Sequence, residues 1–389
     1  MSVAWRGFVR RRRAGVLAAV LLACCGLHSK TARADLFDKY SMMEVFELPV
    51  GASAMDTLPD GRIVTLVDAD VFLEDAPGAR TFSNVGTLPL ADIASFGAAF
   101  VAVSPDGTRI AVGNNGGASF VDFRVGVFDF PSLTGGWIAA DHFVAAWVDH
   151  QRLLVAVSDF TNGSSVAMLD AGDVDPANWT FTTVITNIGG ASGGVALDGS
   201  GNLYTANGFA SLGPSGTGDI RVFFSSDWMQ VLSGGLALDF EAVGVPVVDI
   251  LSGSPLVFDG EGNLLVGGGD TAPDDDAVAI IRASAVADAL AGMGRVDVND
   301  GLKVRRVDPI ADNDFNFFSC ETNVALGELY VRDFGSGTVY VYRDPAGVPA
   351  VGAWGAVCMS LGLMCIGTVV VQRRTDRAGC FSSAGVEVR

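Results

Sequence analysis

Residues 193–208 read GGVALDGSGNLYTANG, and the fold is best inferred from this stretch. A short apolar run at residues 195–197 leads into a turn of Asp, Gly, Ser and Asn, and a second apolar run begins at Leu203. Two β-rich runs on either side of a DG-type turn are typical of a β-hairpin. A third run that begins near Ile220 predicts a third strand after a loop.

The same phrase of strand, turn, strand, loop and strand recurs along the chain. Its turn centres fall near positions 60, 106, 150, 200, 261 and 327. Such spacings suit four-stranded blades, the longer ones with inserted loops. Six units predict an all-β fold, a six-bladed β-propeller over residues 35–345. Residues 283–294 have a helical pattern and are predicted to form an insertion in the fifth unit.

The two ends of the repeat region predict how the ring closes. Residues 44–50, EVFELPV, read as a strand before the first unit, and the last unit stops at Arg343 with only three strands. Because an open ring would leave strand edges exposed, we expect the N-terminal strand to complete the last blade.

Charge and cysteine content restrict the class of protein. The whole chain has a net charge of −19, and the segment between Asp35 and Pro349, with 14 basic and 42 acidic residues, carries about −28. Such a body repels nucleic acid and anionic membrane surfaces, so nucleic acid is excluded as a partner. Cys320 is the single cysteine of this segment. The sequence therefore predicts a buried thiol rather than a disulfide framework.

Residues 1–34 have the pattern of a secretory signal peptide. Four arginines at positions 10–13 precede an apolar run, and Ala32 and Ala34 offer small residues for cleavage before Asp35. Two variants remain open. The arginines could serve the twin-arginine route, and residues 21–24 form a loose lipobox that would place a lipid on Cys24.

The other end of the chain predicts a transmembrane helix. Residues 350–371 are 22 positions without a charge, long enough for a bilayer core. Arg373, Arg374 and Arg377 follow, and the positive-inside rule then places the C-terminus in the cytoplasm and the body outside. A short tail, residues 378–389, ends the chain.

Within residues 346–377, the run Val348-Pro349-Ala350-Val351, the pair Trp354-Gly355, the apolar helix and the arginines resemble the IPTL-CTERM family of bacterial sorting signals. The resemblance implies an exosortase-like sorting protease as a partner and removal of the membrane helix. It also implies localisation at the cell surface or outer envelope, with the protein membrane-anchored before processing.

The repeat phrase over residues 52–343 resembles the NHL-like and gluconolactonase-like six-bladed propellers, in which units such as GVAVDPDGNLYVAD are typical. In the lactonase branch, a Glu, an Asn and an Asp on different inner strands hold a calcium-like ion in the central channel. The polar inner-strand candidates for such a site here are Asp56, Glu321 and Asn323.

A second candidate metal site is the acidic loop at residues 267–277. Asp270, Asp274 and Asp276 lie close together in it, and clustered carboxylates suit Ca²⁺. A solvated loop is the alternative interpretation. The sequence does not establish a cofactor. Ca²⁺ is the ion that would suit either cluster. His142 and His150 are too few for a zinc site, which takes three or four N or S ligands.

Asp or Asn also recurs after the second strand of most units. The positions are Asp68, Asn114, Asp159, Asn207 and Asp333. They could form a ring of ligands, or they could bond nearby backbone and set the turn into the next strand.

The sequence favours an exported cell-surface propeller that acts as a binding or structural module for an unknown surface ligand. The alternative is a metal-dependent, calcium-type hydrolase of the lactonase kind that uses channel carboxylates. Three converging oxygen ligands at one channel mouth would favour the enzyme, whereas an apolar or plugged channel would favour the binding module.

Overall fold

The computed structural model describes residues 40–89, 98–114, 123–157, 164–190, 193–207, 218–250, 253–267, 277–297, 302–305, 318–333 and 337–343. The chain divides into two compact units, Met1–Asp344 and Pro345–Arg389, and the second lies wholly outside these ranges. The predicted signal peptide, sorting signal and tail also lie outside the described residues, as do Asp159, Asp270, Asp274 and Asp276. Among the described residues, none of the helices has the length and apolar character needed to cross a membrane.

Within the described ranges the chain forms 26 strands in six sheets, and the all-β, six-bladed propeller is confirmed. The N-terminal strand is β1 (Ser41–Glu47). Blade 1 contains β2 (Ala52–Thr57), β3 (Ile63–Val67), β4 (Asp70–Glu74) and β5 (Phe82–Thr87). Blade 2 contains β6 (Ala98–Val103), β7 (Arg109–Asn114), β8 (Arg124–Asp129) and β9 (Thr134–Ala139). Blade 3 contains β10 (Val144–Trp147), β11 (Arg152–Val157), β12 (Ser164–Asp170) and β13 (Thr180–Ile188), with a 3-10 turn at Pro176–Asn178.

Blades 4 and 5 carry helical insertions. Blade 4 runs β14 (Val195–Leu197), β15 (Leu203–Ala206), β16 (Asp219–Phe223), α1 (Ser225–Leu232), β17 (Leu238–Asp239), α2 (Phe240–Val243) and β18 (Val245–Asp249). Blade 5 runs β19 (Leu256–Phe258), β20 (Leu264–Val266), β21 (Ala277–Ile281), α3 (Ala283–Leu290), β22 (Val296–Asp297) and β23 (Leu302–Arg305). Blade 6 contains β24 (Phe318–Asn323), β25 (Glu328–Asp333) and β26 (Thr338–Arg343).

The first strand of each blade lies innermost. Strands β2, β6, β10, β14, β19 and β24 contact one another in cyclic order and so surround the channel. Thr57 Oγ1 donates to the Thr322 carbonyl at 3.2 Å, and Thr322 Oγ1 donates to the Phe258 carbonyl at 3.0 Å. Trp147 Nε1 donates to the Ala102 carbonyl at 2.9 Å. Each bond joins residues near the C-terminal ends of two inner strands, so the inner strands run in the same direction.

The hydrophobic core lies between the blades. In the described part of the chain the buried apolar residues form six clusters, and each cluster joins two adjacent blades. One example combines Leu154 of blade 3 with Leu203 and Phe223 of blade 4, all at most 1% exposed. A middle strand is therefore covered on both faces, which explains why Leu153, Leu154 and Val155 form a continuous apolar run with no exposure.

The DG turns are held by their own side chains. Asp198 Oδ1 accepts from the backbone N–H groups of Ser200 and Asn202 at 2.8 and 2.9 Å. Gly201, at φ +77°, occupies the left-handed region that favours glycine. The carbonyl of the Asn202 amide then accepts from the N–H of Ser225, the first residue of α1. The turn of blade 5 repeats this arrangement, since Asn263 accepts from Ala283 at the start of α3.

Two insertions share one design. Residues 225–239 and 283–297 align without a gap, and each gives an eight-residue helix followed by a two-residue strand. Strand β17 pairs in parallel with β13 of blade 3, and β22 pairs in parallel with β18 of blade 4. Each insertion thus reaches back to cover the outer edge of the preceding blade. The predicted helix at α3 is confirmed, whereas α1 was not predicted.

The N-terminal strand closes the ring, as predicted. Strand β1 pairs antiparallel with β26, with Val45 opposite Tyr340 and Glu47 opposite Thr338. The Leu48 N–H extends the pairing to the Gly337 carbonyl at 3.1 Å. Blade 6 therefore combines the two ends of the repeat region.

A buried charge cluster lies at the same seam between blades 6 and 1. The Arg80 guanidinium contacts Glu328 at 2.9 Å and Glu74 at 3.5 Å, and both carboxylates are almost fully buried. Arg343 pairs with the other oxygen of Glu328, and the Tyr330 hydroxyl donates to Glu328 at 2.7 Å. Burial alone would raise the pKa of Glu328, but these hydrogen bonds outweigh burial and hold the pKa below its usual range.

Replacing Glu328 by Gln should lower the free energy of unfolding by roughly 3–5 kcal/mol, because two arginines would lose their buried counter-charge. The matched control is Asp60→Asn, which removes a carboxylate from the exposed pair with Arg62 and should cost less than about 1 kcal/mol. Denaturant unfolding of both variants measures the difference. Equal, small losses in the two variants would contradict a seam held by buried charge.

Candidate functional site

The channel contains a cavity of about 120 Å³. Small residues such as Ala54 and Ala99 on the inner strands leave this space open. The lining residues lie in or just before the inner strands of blades 1, 2, 3, 5 and 6, together with Arg332 of β25. They lie mostly toward the beginnings of those strands. The cavity therefore lies at the opposite end of the channel from the bonds of Thr57, Thr322 and Trp147.

Most of the cavity wall is apolar. The larger side chains that form it are Met55, Phe100, Val101, Phe143, Val144 and Pro255. This wall brings together residues of blades 1, 2, 3 and 5, so the cavity exists only in the closed ring. An apolar wall with a few polar groups is typical of small-molecule sites.

The polar groups of the cavity converge from blades 5 and 6. They are Ser254, Ser319, Glu321 and Arg332. Ser319 lies directly opposite Arg332 in the pairing of β24 with β25, and Glu321 lies opposite Tyr330. Arg332 is 4% exposed and donates from Nη2 to the Ser53 carbonyl at 2.9 Å, which ties blade 6 to blade 1.

Asp56 lies deeper, near the end of β2. Its carboxylate oxygens accept from the backbone N–H groups of Thr57 and Val103, each at 2.6 Å. The second bond crosses from blade 1 to blade 2. Asp56 therefore has a structural role in joining blade 1 to blade 2, and its charge also acts on Glu321.

Burial and mutual repulsion perturb this carboxylate pair. Burial raises the pKa of Asp56 to about 6, although the bonds from Val103 and Thr57 oppose the shift. Burial, followed by repulsion from Asp56, holds the pKa of Glu321 well above its usual range, with the charge of Arg332 opposing.

The amide group of Asn323 bonds to groups other than Asp56 and Glu321. Its amide nitrogen donates to the Gly61 carbonyl at 2.7 Å and to the Tyr330 hydroxyl at 2.8 Å. Its amide oxygen accepts from the Leu326 N–H at 3.1 Å. Asn323 is 1% exposed, and its bond to Gly61 of blade 1 places it at the seam between blades 6 and 1. Among the residues with described positions, no group of three His, Cys, Asp or Glu side chains is arranged to hold a metal ion.

The repeated Asp and Asn positions differ from one another in environment. Asn207 is buried, and its amide oxygen accepts from the N–H of Asp219, the first residue of the next strand, at 2.9 Å. This bond fits the turn-setting interpretation. Asp68 is exposed at φ +49°, and Asn114 is fully buried. The side chain of Asp333 is outside the described part of the structure.

Two further titratable side chains lie near the channel. His142 packs edge-on between Phe100 and Phe123, and burial lowers its pKa to about 4, so the ring is neutral. Cys320 is fully buried, as the sequence predicts, and burial raises the pKa of its thiol. Sequence reasoning missed Arg332. The available signal was a basic residue within the apolar strand ELYVRD, but only the strand register shows that it reaches the cavity.

Comparisons with known proteins show no relationship from which function could be inferred. No protein-family profile matches the chain, and no curated protein matches it. Solved structures that it resembles include the PQQ domain of a pyranose dehydrogenase from Coprinopsis cinerea, at 12% identity and a TM-score of 0.47 over 78% of this chain and 97% of that one. Others are U3-55K, at 12% identity and 0.46 over 76% and 77%, and the hydrazine synthase of Kuenenia stuttgartiensis, at 16% and 0.44 over 72% and 73%. Likenesses this distant carry no argument about function.

Replacing Glu321 by Gln should change the pH dependence of stability. A carboxyl group whose pKa is raised by folding makes the folded state bind more protons than the unfolded state. Stability is therefore highest below the unfolded pKa and falls as pH rises toward the folded pKa. The variant should match the natural protein in thermal midpoint near pH 4 and exceed it at pH 8.

Thermal unfolding across this pH range provides the measurement. Glu47→Gln, on the exposed edge strand, is the matched control, and its difference from the natural protein should stay small at every pH. A Glu321→Gln variant that is less stable at pH 8 than at pH 4, relative to the natural protein, would contradict the raised pKa.

Proposed function

We propose that the chain is an exported β-propeller that acts as a binding module at the cell surface and takes a small ligand in the channel cavity. The observation that carries this proposal is the cavity itself. Five blades contribute to one wall that is mostly apolar, with its polar groups gathered on one side. The closed ring holds these residues next to one another, which suits a preformed binding site.

The alternative is a calcium-type hydrolase of the lactonase kind, as in the NHL-like and gluconolactonase-like propellers. Asp56 and Glu321 would be two of its ligands. Asn323, the expected third ligand, instead uses its amide on Gly61, Tyr330 and Leu326. Both oxygens of Asp56 already accept backbone N–H groups. The described residues therefore favour the binding module over the enzyme.

The predicted signal peptide and sorting signal would carry the module out of the cell. Residues 1–34 would direct export with cleavage before Asp35, and residues 346–377 would anchor the protein by a transmembrane helix. An exosortase-like protease would then remove the helix and transfer the body to the surface. A body with about −28 net charge gains nothing from an anionic bilayer, so the apolar helix would be what holds it there.

Filling the cavity should abolish ligand binding. Ala99→Leu adds three carbon atoms at the cavity wall, while Ala242→Leu adds them on an exposed helix and is the matched control. We expect a thermal-shift screen of small metabolites to find compounds that stabilise the natural protein and the control but not Ala99→Leu. If every stabilising compound acts equally on all three proteins, or none acts on any, the cavity is not the ligand site.

Membrane attachment should depend on the C-terminal apolar segment. The full chain should remain with membranes in about 1 M salt, which screens charge but leaves hydrophobic insertion intact. Leu363→Asp, within the predicted span, should release it, and Leu236→Asp, on the exposed surface of the propeller, should not. Fractionation followed by immunoblotting is the measurement. Release of the unaltered chain by salt would rule out the anchor.

A further inference from the structure

One wall of the channel cavity carries an acidic and a basic side chain at a fixed spacing. Glu321 of β24 pairs with Tyr330 of β25, and Arg332 lies two residues beyond Tyr330. The two residues are therefore diagonal neighbours on one face of blade 6, a separation of about 7–8 Å between their backbones. Ser319, directly opposite Arg332, adds a hydroxyl to the same face.

The rest of the cavity wall is mostly apolar. Phe100 and Phe143 come from blades 2 and 3, and Pro255 comes from blade 5. A ligand in this space would contact charges on one side and aromatic or aliphatic groups on the other. The volume of about 120 Å³ limits it to a small molecule.

We propose that the cavity binds a free α-amino acid with a small apolar side chain. Its ammonium group would face Glu321, its carboxylate would face Arg332 and the Ser319 hydroxyl, and its side chain would pack against Phe100 and Phe143. This assignment rests on the proposed function, since it takes the cavity to be the ligand site.

The charges of the lining disfavour other small ligands. An anion would approach the carboxyl group of Glu321, and a cation without a carboxylate would approach Arg332. A fully apolar ligand would shield both side chains from water and offer no hydrogen bond to either. A zwitterion with an apolar substituent complements both charges and the apolar wall at once.

Calorimetric titration of the full chain tests the assignment with three matched probes. L-Leucine carries both charged groups, 3-methylbutylamine lacks the carboxylate, and 4-methylpentanoate lacks the ammonium. L-Valine tests tolerance of the side chain. We expect leucine or valine to bind and each single-charge probe to bind at least ~10-fold more weakly.

Two variants locate the charges. Glu321→Gln should weaken leucine binding while leaving the affinity for 4-methylpentanoate unchanged or stronger, because that probe has no ammonium to lose. Ser319→Ala should weaken leucine and 4-methylpentanoate but not 3-methylbutylamine. The control is Arg62→Gln, at the exposed surface, and it should change none of these affinities. Circular dichroism confirms that each variant is folded.

The results separate this proposal from the proposed function. Equal affinities for leucine and either single-charge probe would overturn the amino-acid assignment. The assignment would also be overturned if neither amino acid binds while other compounds bind and Ala99→Leu abolishes their binding. In that case the cavity would remain a site for a ligand of other chemistry. If no compound binding depends on Ala99, both proposals fail.

Discussion

The pairing of β1 with β26 is the interaction on which the rest of the structure depends. Every cluster of the core that the structure describes lies between two blades, so a single blade cannot bury its own apolar faces. A ring with one unpaired end would expose both the face of blade 6 and the edge of β26. Closure by the N-terminal strand joins chain segments that are about 300 residues apart, since Ser41 lies opposite Arg343.

The seam between blades 6 and 1, where the ring closes, contains buried charged side chains in addition to apolar ones. Arg80 lies between Glu74 and Glu328, and its guanidinium also lies 4.9 Å from the centre of the Phe46 ring. Asn323 ties the same region to Gly61. Buried charges tolerate one geometry well and others badly, so we infer that this cluster fixes the register in which the two chain ends meet. The positions of the residues that line the channel and its cavity depend on that register.

Much of the fold could be predicted from the sequence because its turns are local. Asp198 and Asn202 hold their turn with bonds that span four residues or fewer, and the same residues recur at Asp259 and Asn263. Closure by the N-terminal strand could be predicted because the last repeat unit has three strands and a blade needs four. Helix α1 was missed although it is as long as α3, because SSDWMQVL lacks the alanines that favour a helix in ASAVADAL and depends on packing by Trp228.

The candidate site was less predictable than the fold. Asp56 and Glu321 could be named because carboxylates are unusual on inner strands, but the environment of Asn323 depends on a carbonyl in another blade. Arg332 could not be assigned to the cavity because its position depends on the register of β24 and β25. Sequence patterns indicate which face a residue occupies, whereas the convergence of residues from five blades is set by ring geometry.

Hydrogen exchange of the backbone amides in β1 tests ring closure most directly. In an antiparallel edge pair, alternate amides of the outer strand bond to the neighbouring strand and the others face water. The account predicts that about half of the amides of Ser41–Glu47 in the full chain exchange as slowly as those of β26. If all the amides of this segment exchange within seconds, at the rate of an unstructured peptide, the N-terminal strand does not close the propeller.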